Sequence, residues 1–304
     1  MRPIAAFLIF LMPLISCSQS EEVKGREFTD IAYYSGEDFD SAYHRLNLVL
    51  PIGNESEEKP ALLLWVGGGA WAYVDRHVEM PVARRFAEKG IAVASVGHRL
   101  SPAIWQDSTK TEGIQHPEHL RDVAKAFKWL KEHHAEYGFD PDRIFVGGFS
   151  SGAHLVTMLS MAPEFLDEVG YEREDIAGAI PIGGAYDIYS YYETFLNSTR
   201  PHLAKDHVQA VFGESQEEME AASPTEYVSN MVVPMLVVSE RSTFNYTQLF
   251  EDAVTEAGFE DFDVFHVHTL DHGGLWRNLG SEESSFYLEV LVSWMEGQMG
   301  RGEM

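Results

Sequence analysis

Residues 140–155 read Asp140-Pro141-Asp142-Arg143-Ile144-Phe145-Val146-Gly147-Gly148-Phe149-Ser150-Ser151-Gly152-Ala153-His154-Leu155. Arg143–Phe149 reads as a strand, buried over Ile144–Phe149, and Ser151–Met161 reads as a helix without a loop of turn residues between them. A strand that passes into a helix through Gly148-Phe149-Ser150-Ser151-Gly152 makes a sharp turn, and a side chain at its apex stands above the sheet. The flanking glycines suit a place where backbones pass close together. The G-x-S-x-G pattern alone is weak, and a tight turn that happens to hold two serines would match it as well. Its strand–turn–helix setting makes Ser150 the candidate nucleophile.

The chain outside this turn alternates. Continuous apolar runs at Ala61–Val66, Ile91–Val96, Ile176–Ile182 and Met235–Ser239, with a further strand at Asp263–Leu270, are separated by helical patterns. Those helices are expected over Val78–Lys89, Glu118–Tyr137, Tyr246–Ala257 and Glu282–Met295. Runs without alternation suit strands buried on both faces, and strands alternating with helices imply crossovers and a mostly parallel sheet with helices on both faces. The fold class is α/β. Strands at Asp30–Tyr34 and His44–Leu50 precede this series. The stretch from about residue 188 to 230, rich in Tyr, Glu and Ser, is too long for a simple crossover and reads as a small cap over the active edge of the sheet.

Composition narrows the function. Of 304 residues, 45% are hydrophobic and 12% aromatic, enough for one packed domain and no sign of disorder. Lys+Arg 22 against Asp+Glu 48 gives a net charge of −26, which repels phosphate backbones and anionic headgroups, so no nucleic-acid partner is expected. No HExxH or cysteine spacing points to a metal, and no cofactor is called for.

Met1-Arg2-Pro3 followed by the apolar stretch Ile4–Ile15 is shorter than the roughly 20 residues that span a bilayer, and it reads as a signal peptide over 1–16. Leu14-Ile15-Ser16-Cys17 resembles the lipobox of bacterial lipoproteins, which implies lipid attachment at Cys17; cleavage after Ser18 is the alternative. Residues 17–27 then form a polar tether and 28–304 the folded domain. The expectation is an exported lipoprotein, held to the membrane by its lipid alone, at the outer membrane facing the periplasm or the cell surface. Cys17 is the single cysteine, so disulfides contribute nothing.

A second glycine-rich stretch, Trp65-Val66-Gly67-Gly68-Gly69-Ala70-Trp71, follows the first buried strand, where glycines let backbone N–H groups turn toward a developing oxyanion. It lacks the Lys-Ser/Thr of a phosphate-binding loop. With HRLSP at 98–102, HPEHLRDVAKAFKWL at 116–130, GGAYDI at 183–188 and SPTEYV at 223–228, the chain resembles the α/β-hydrolases of the hormone-sensitive-lipase and carboxylesterase type, close to small bacterial acetyl-esterase-like and formamidase-like members. The resemblance implies an α/β-hydrolase fold, a small-molecule ester as substrate, Gly69, Ala70 and Ser151 as oxyanion donors, and His272, after the last strand, as the base that activates Ser150. It departs from the family at two positions. Gly67 stands where the family has a loop-ordering His, and Ser242 stands where it has the Asp that orients the base.

Two carboxylates are open as replacements for that acid. Glu240 lies on the expected turn but two residues early, roughly 6.7 Å along an extended chain, so it reaches His272 only if the turn is reshaped. Asp187 follows the strand 176–182, where some α/β-hydrolases carry their acid, although it also suits a helix cap. The sequence thus predicts a serine hydrolase of carboxylic esters with short acyl groups favoured, and weak activity if the acid is lost. Amide hydrolysis of the formamidase kind with the same residues, or a degenerate hydrolase that serves as a binding module, are the alternatives.

Overall fold

The computed structural model describes residues 25–52, 58–281 and 283–301. The expected signal peptide and Cys17 lie outside them. Eight strands among the described residues form one sheet: β1 (Gly25–Ala32), β2 (Arg45–Pro51), β3 (Leu62–Val66), β4 (Ala92–Val96), β5 (Ile144–Phe149), β6 (Gly178–Ile182), β7 (Met235–Glu240) and β8 (Phe262–Val267). Their order is β1-β2-β4-β3-β5-β6-β7-β8. β2 pairs antiparallel with β1 and β4, and every pairing from β4 to β8 is parallel. β1 starts at Gly25, so the polar tether expected over 17–27 gives way to a strand before its end.

Helices among the described residues are α1 (Met80–Glu88), α2 (Glu118–Tyr137), α3 (Ser151–Met161), α4 (Glu164–Asp167), α5 (Ile188–Leu196), α6 (Ala210–Phe212), α7 (Gln216–Ala221), α8 (Phe244–Ala257), α9 (His272–Leu279) and α10 (Phe286–Arg301). They cover both faces of the sheet, and the period-2 alternation of β3 shows how. Leu62, Leu64 and Val66 pack with Leu120, Val123 and Phe127 of α2, Leu155 and Leu159 of α3, and Phe250 of α8. Leu63 and Trp65 point the other way, to Val82 and Phe86 of α1 and to Leu288, Leu291 and Met295 of α10. Every residue of β3 to β7 is buried, as the unbroken apolar runs require.

The parallel strands all end at one edge, and the chain between β6 and β7 lies over it as short helical pieces. α5, a π-helical turn at Ala204–Gln209, α6, α7 and a 3-10 stretch at Pro224–Asn230 make up this segment, which the sequence assigned to a cap. A buried polar knot fixes HRLSP to α2. Asp122 accepts from Arg99 Nε at 2.9 Å and Nη2 at 2.7 Å, and its Oδ1 lies 2.9 Å from His44 Nε2. Burial by itself would raise the Asp122 carboxyl, but His44 and Arg99 outweigh it and hold it well below the usual carboxylate range.

Candidate active site

Ser150 sits between β5 and α3 with φ 56° and ψ −116°, a conformation rare for a residue with a β-carbon. Such backbone costs about 1–3 kcal/mol and persists only where its surroundings enforce it. They do so through the glycines. A β-carbon on Gly152 would lie 2.0 Å from the Val66 carbonyl oxygen, and one on Gly148 2.5 Å from the Gly152 carbonyl. The Ser150 N–H donates to the Ile182 oxygen at 2.8 Å and ties the turn to β6.

The glycine-rich loop expected to hold an oxyanion follows β3. Ala72 and Tyr73 both donate to the Gly69 oxygen, at 2.8 and 2.9 Å, which closes the loop on itself. Ala70 and Trp71 take left-handed φ of 49° and 58°. Trp71 anchors the loop: its carbonyl accepts from Ser101 N at 2.9 Å, and its buried indole packs edge-on to Phe212 at 4.8 Å between ring centres. Among the described residues the N–H groups of Gly69 and Ala70 donate to nothing, and that of Ser151, at the first helical position, has no intrahelical partner. A β-carbon on Gly68 would lie 3.1 Å from Ser150 Cβ, so the loop and the serine turn touch.

His272 is not in a loop, as the sequence suggested, but opens α9. Asp271 caps that helix by accepting from Gly274 N at 2.7 Å. His272 Nδ1 lies 2.9 Å from Glu240 Oε1, and the imidazole packs against Phe149 with ring centres 4.6 Å apart. Glu240 is the last residue of β7 and 1% exposed. Its other oxygen accepts the Ser242 N–H at 2.6 Å. Burial pushes the Glu240 carboxyl up, but the His272 and Ser242 donors more than offset this, so it lies below its ordinary value and is ionised at neutral pH. A carboxylate only accepts, so Nδ1 carries the hydrogen and the neutral ring presents an acceptor at Nε2.

Of the two carboxylates the sequence left open, Glu240 therefore meets His272, and the turn at 241–243 has the reshaped form that this reach requires. That turn folds back so that the Ser242 amide bonds the carboxylate. Asp187 does something else: it caps α5, accepting from Ser190 N at 2.8 Å.

Ser150 and His272 border two cavities. One of 300 Å³ runs beside Gly68, Phe149, Glu79 and Trp276. The other, of 540 Å³, runs under the cap past Trp71, Trp105, Tyr191, Phe195 and Tyr246. This aromatic wall has no sequence signal beyond the Tyr-rich composition of the 188–230 stretch. Among the described residues no group of three or more His, Cys, Asp or Glu could hold a metal ion.

The loop also depends on a neutral histidine. His154 is fully buried; it accepts from the Trp71 indole N–H at Nδ1, 3.3 Å, and its Nε2 donates to the Ala222 oxygen at 2.8 Å. Only the neutral ring does both. Burial depresses its pKa to about 4, with the Ala222 bond acting in the opposite sense. Half-buried His116 and buried His207 are lowered in the same way, to about 3 and about 4. Because the unfolded chain takes up these protons near pH 6.5 and the folded one does not, stability is full above that pH and is lost as the pH falls from about 6.5 toward 4. The expected result is a denaturant midpoint that is level from pH 8 to 6.5 and drops steadily below. A midpoint still level at pH 5 would mean that these rings do not stay neutral in the fold.

The sheet and the serine turn define the class: this is an α/β-hydrolase. Residues 46–242 match the family model described as BD-FAE, and the chain belongs to that family. It is 28% identical over 186 residues to a probable carboxylic ester hydrolase LipM and 30% identical over 182 residues to an esterase LipQ, both of Mycobacterium tuberculosis. These matches cover 60% and 58% of this chain but 41% and 40% of the relatives, so the chain spans about two fifths of their length. The fold is similar to that of esterase B from Lactobacillus rhamnosis, with TM-score 0.73 and 18% identity over 92% of this chain and 89% of that one. A bacterial heroin esterase matches with TM-score 0.64 and 21% identity, over 91% and 84%.

Proposed function

We propose that the protein is a serine hydrolase of carboxylic esters. The observation that carries this reading is the His272–Glu240 pair, 2.9 Å apart, with His272 on the same cavity as the strained Ser150. In the proposed mechanism Ser150 Oγ attacks the ester carbonyl and His272 Nε2 takes its proton. Glu240 holds the ring in the tautomer with hydrogen on Nδ1 and stabilises the imidazolium that forms. The N–H groups of Gly69, Ala70 and Ser151 receive the negative charge on the carbonyl oxygen. His272 then gives the proton to the leaving alcohol, and water, activated by the same imidazole, releases the acid.

A short acyl group suits the 300 Å³ cavity, leaving the larger aromatic one for the rest of the ester. The names of the two mycobacterial relatives support an ester rather than an amide bond. An ionised acid beside His272 supports an enzyme over the binding-module alternative. The test is labelling with a fluorophosphonate probe, followed by turnover of an aryl acetate and the matching formanilide in one assay. Expected are stoichiometric labelling at Ser150 and acetate turnover at least about a hundredfold above that of the formanilide. The reverse preference would replace the ester reading with the amide one, and no labelling would end both.

A further inference from the structure

Gly67 is not a vacancy in the oxyanion loop. A β-carbon there would lie 2.6 Å from Glu79 Cγ and 2.7 Å from its Oε1, so glycine is what lets Glu79 pass. Glu79 precedes α1 and is 2% exposed. Its Oε2 accepts the Trp65 indole N–H at 2.9 Å. The Trp276 indole N–H lies 3.2 Å from the same oxygen and 3.3 Å from Oε1. Trp65 stands on β3, two residues before Gly67, and Trp276 on α9, four residues and so one turn beyond His272. One carboxylate thus joins the strand that leads into the oxyanion loop to the helix that carries the imidazole, and it borders the cavity shared by Ser150 and His272.

We propose that Glu79 is a positioning residue that holds the oxyanion loop and the His272 helix in fixed relation. This rests on the reading of Ser150 and His272 as nucleophile and base. A buried carboxylate is costly, and a well-packed apolar side chain of similar volume would suit stability as well or better. Burial does push the Glu79 carboxyl above its ordinary value, against the pull of the two indole donors. What the carboxylate supplies that an apolar residue cannot is a pair of directional bonds to two separate elements. Oxyanion stabilisation and proton transfer both depend on such fixed distances, since a misplacement of about 1 Å can cost on the order of a hundredfold in rate.

The test uses the full chain and steady-state turnover of an aryl acetate, well below the melting temperature. Glu79→Ala should lower kcat at least about thirtyfold and move KM less than about threefold. Glu79→Gln, whose amide oxygen still accepts from the indoles, should recover kcat to within about fivefold of the wild type. Trp276→Phe, which keeps the ring packing and loses the N–H, should show part of the loss and add little to Glu79→Ala. A folded Glu79→Ala protein with wild-type kcat and labelling rate overturns the proposal while leaving the site reading intact. So does a Trp276→Phe loss that multiplies with that of Glu79→Ala. If Glu79→Ala does not fold, Trp276→Phe decides alone: wild-type kcat overturns the proposal, and a kcat loss at unchanged KM supports it. A wild-type protein that the probe does not label at Ser150 overturns both readings at once.

Discussion

Ser150→Ala is expected to reduce aryl-ester turnover by about 10⁴- to 10⁶-fold and to abolish fluorophosphonate labelling, with a melting temperature within a few degrees of the wild type. The size follows from the role: without Oγ no acyl intermediate forms, and only binding and the oxyanion donors remain to assist direct attack by water. The small stability change follows from the backbone. Alanine keeps the β-carbon, so the φ of 56° is as strained after the substitution as before it, and the bond from residue 150 N–H to the Ile182 oxygen is untouched. Oγ itself makes no hydrogen bond among the described residues, so no buried partner is left orphaned. Mass spectrometry of the labelled protein checks the assignment. A probe adduct on Ser151 or another serine, or Ser150→Ala turnover within tenfold of the wild type, would remove Ser150 from the mechanism.

The sheet was legible in the sequence because its central strands are apolar on both faces. Leu62–Val66 and Ile144–Phe149 carry no charged side chain, and turn residues flank them. The serine turn was legible for a different reason. Gly148 and Gly152 are required by contacts of 2.5 Å and less with backbone close in sequence or in the neighbouring strand, so the need for glycine shows as a local pattern. What could not be read depended on groups far apart along the chain. Glu79 gains its meaning from indoles at 65 and 276. α9, with Gly273 and Gly274 in its first turn and eight residues in all, has no periodicity to announce a helix. β1 was placed too late because an edge strand written GREFTDIA pairs on one side only and carries charge.

The reach of Glu240 leads to the second large effect. The expectation had placed the acid on the turn after β7 and asked whether a carboxylate two residues earlier could stretch to it. In the fold β7 ends at Glu240 itself, the carboxylate meets an imidazole at the start of α9, and the Ser242 amide that occupies the family's Asp position bonds the same carboxylate. Ser242 therefore need not be an acid for Glu240 to act. Glu240→Gln is expected to lower kcat by about 10³- to 10⁴-fold with KM changed less than about fivefold. The amide keeps the shape but loses the charge that stabilises the imidazolium, and it can offer Nδ1 a donor where an acceptor is needed. Asp187→Ala should leave kcat within about twofold and lower stability by about 1 kcal/mol through loss of the α5 cap. Ser242→Asp in the wild-type background should not raise kcat/KM, because a second carboxylate beside Glu240 adds like charge. In the Glu240→Ala background the same substitution should recover part of the loss, since it returns a carboxylate to the turn. Should Glu240→Gln keep more than a tenth of wild-type kcat while Asp187→Ala loses most of it, the acid lies after β6 and the Glu240 contact is structural.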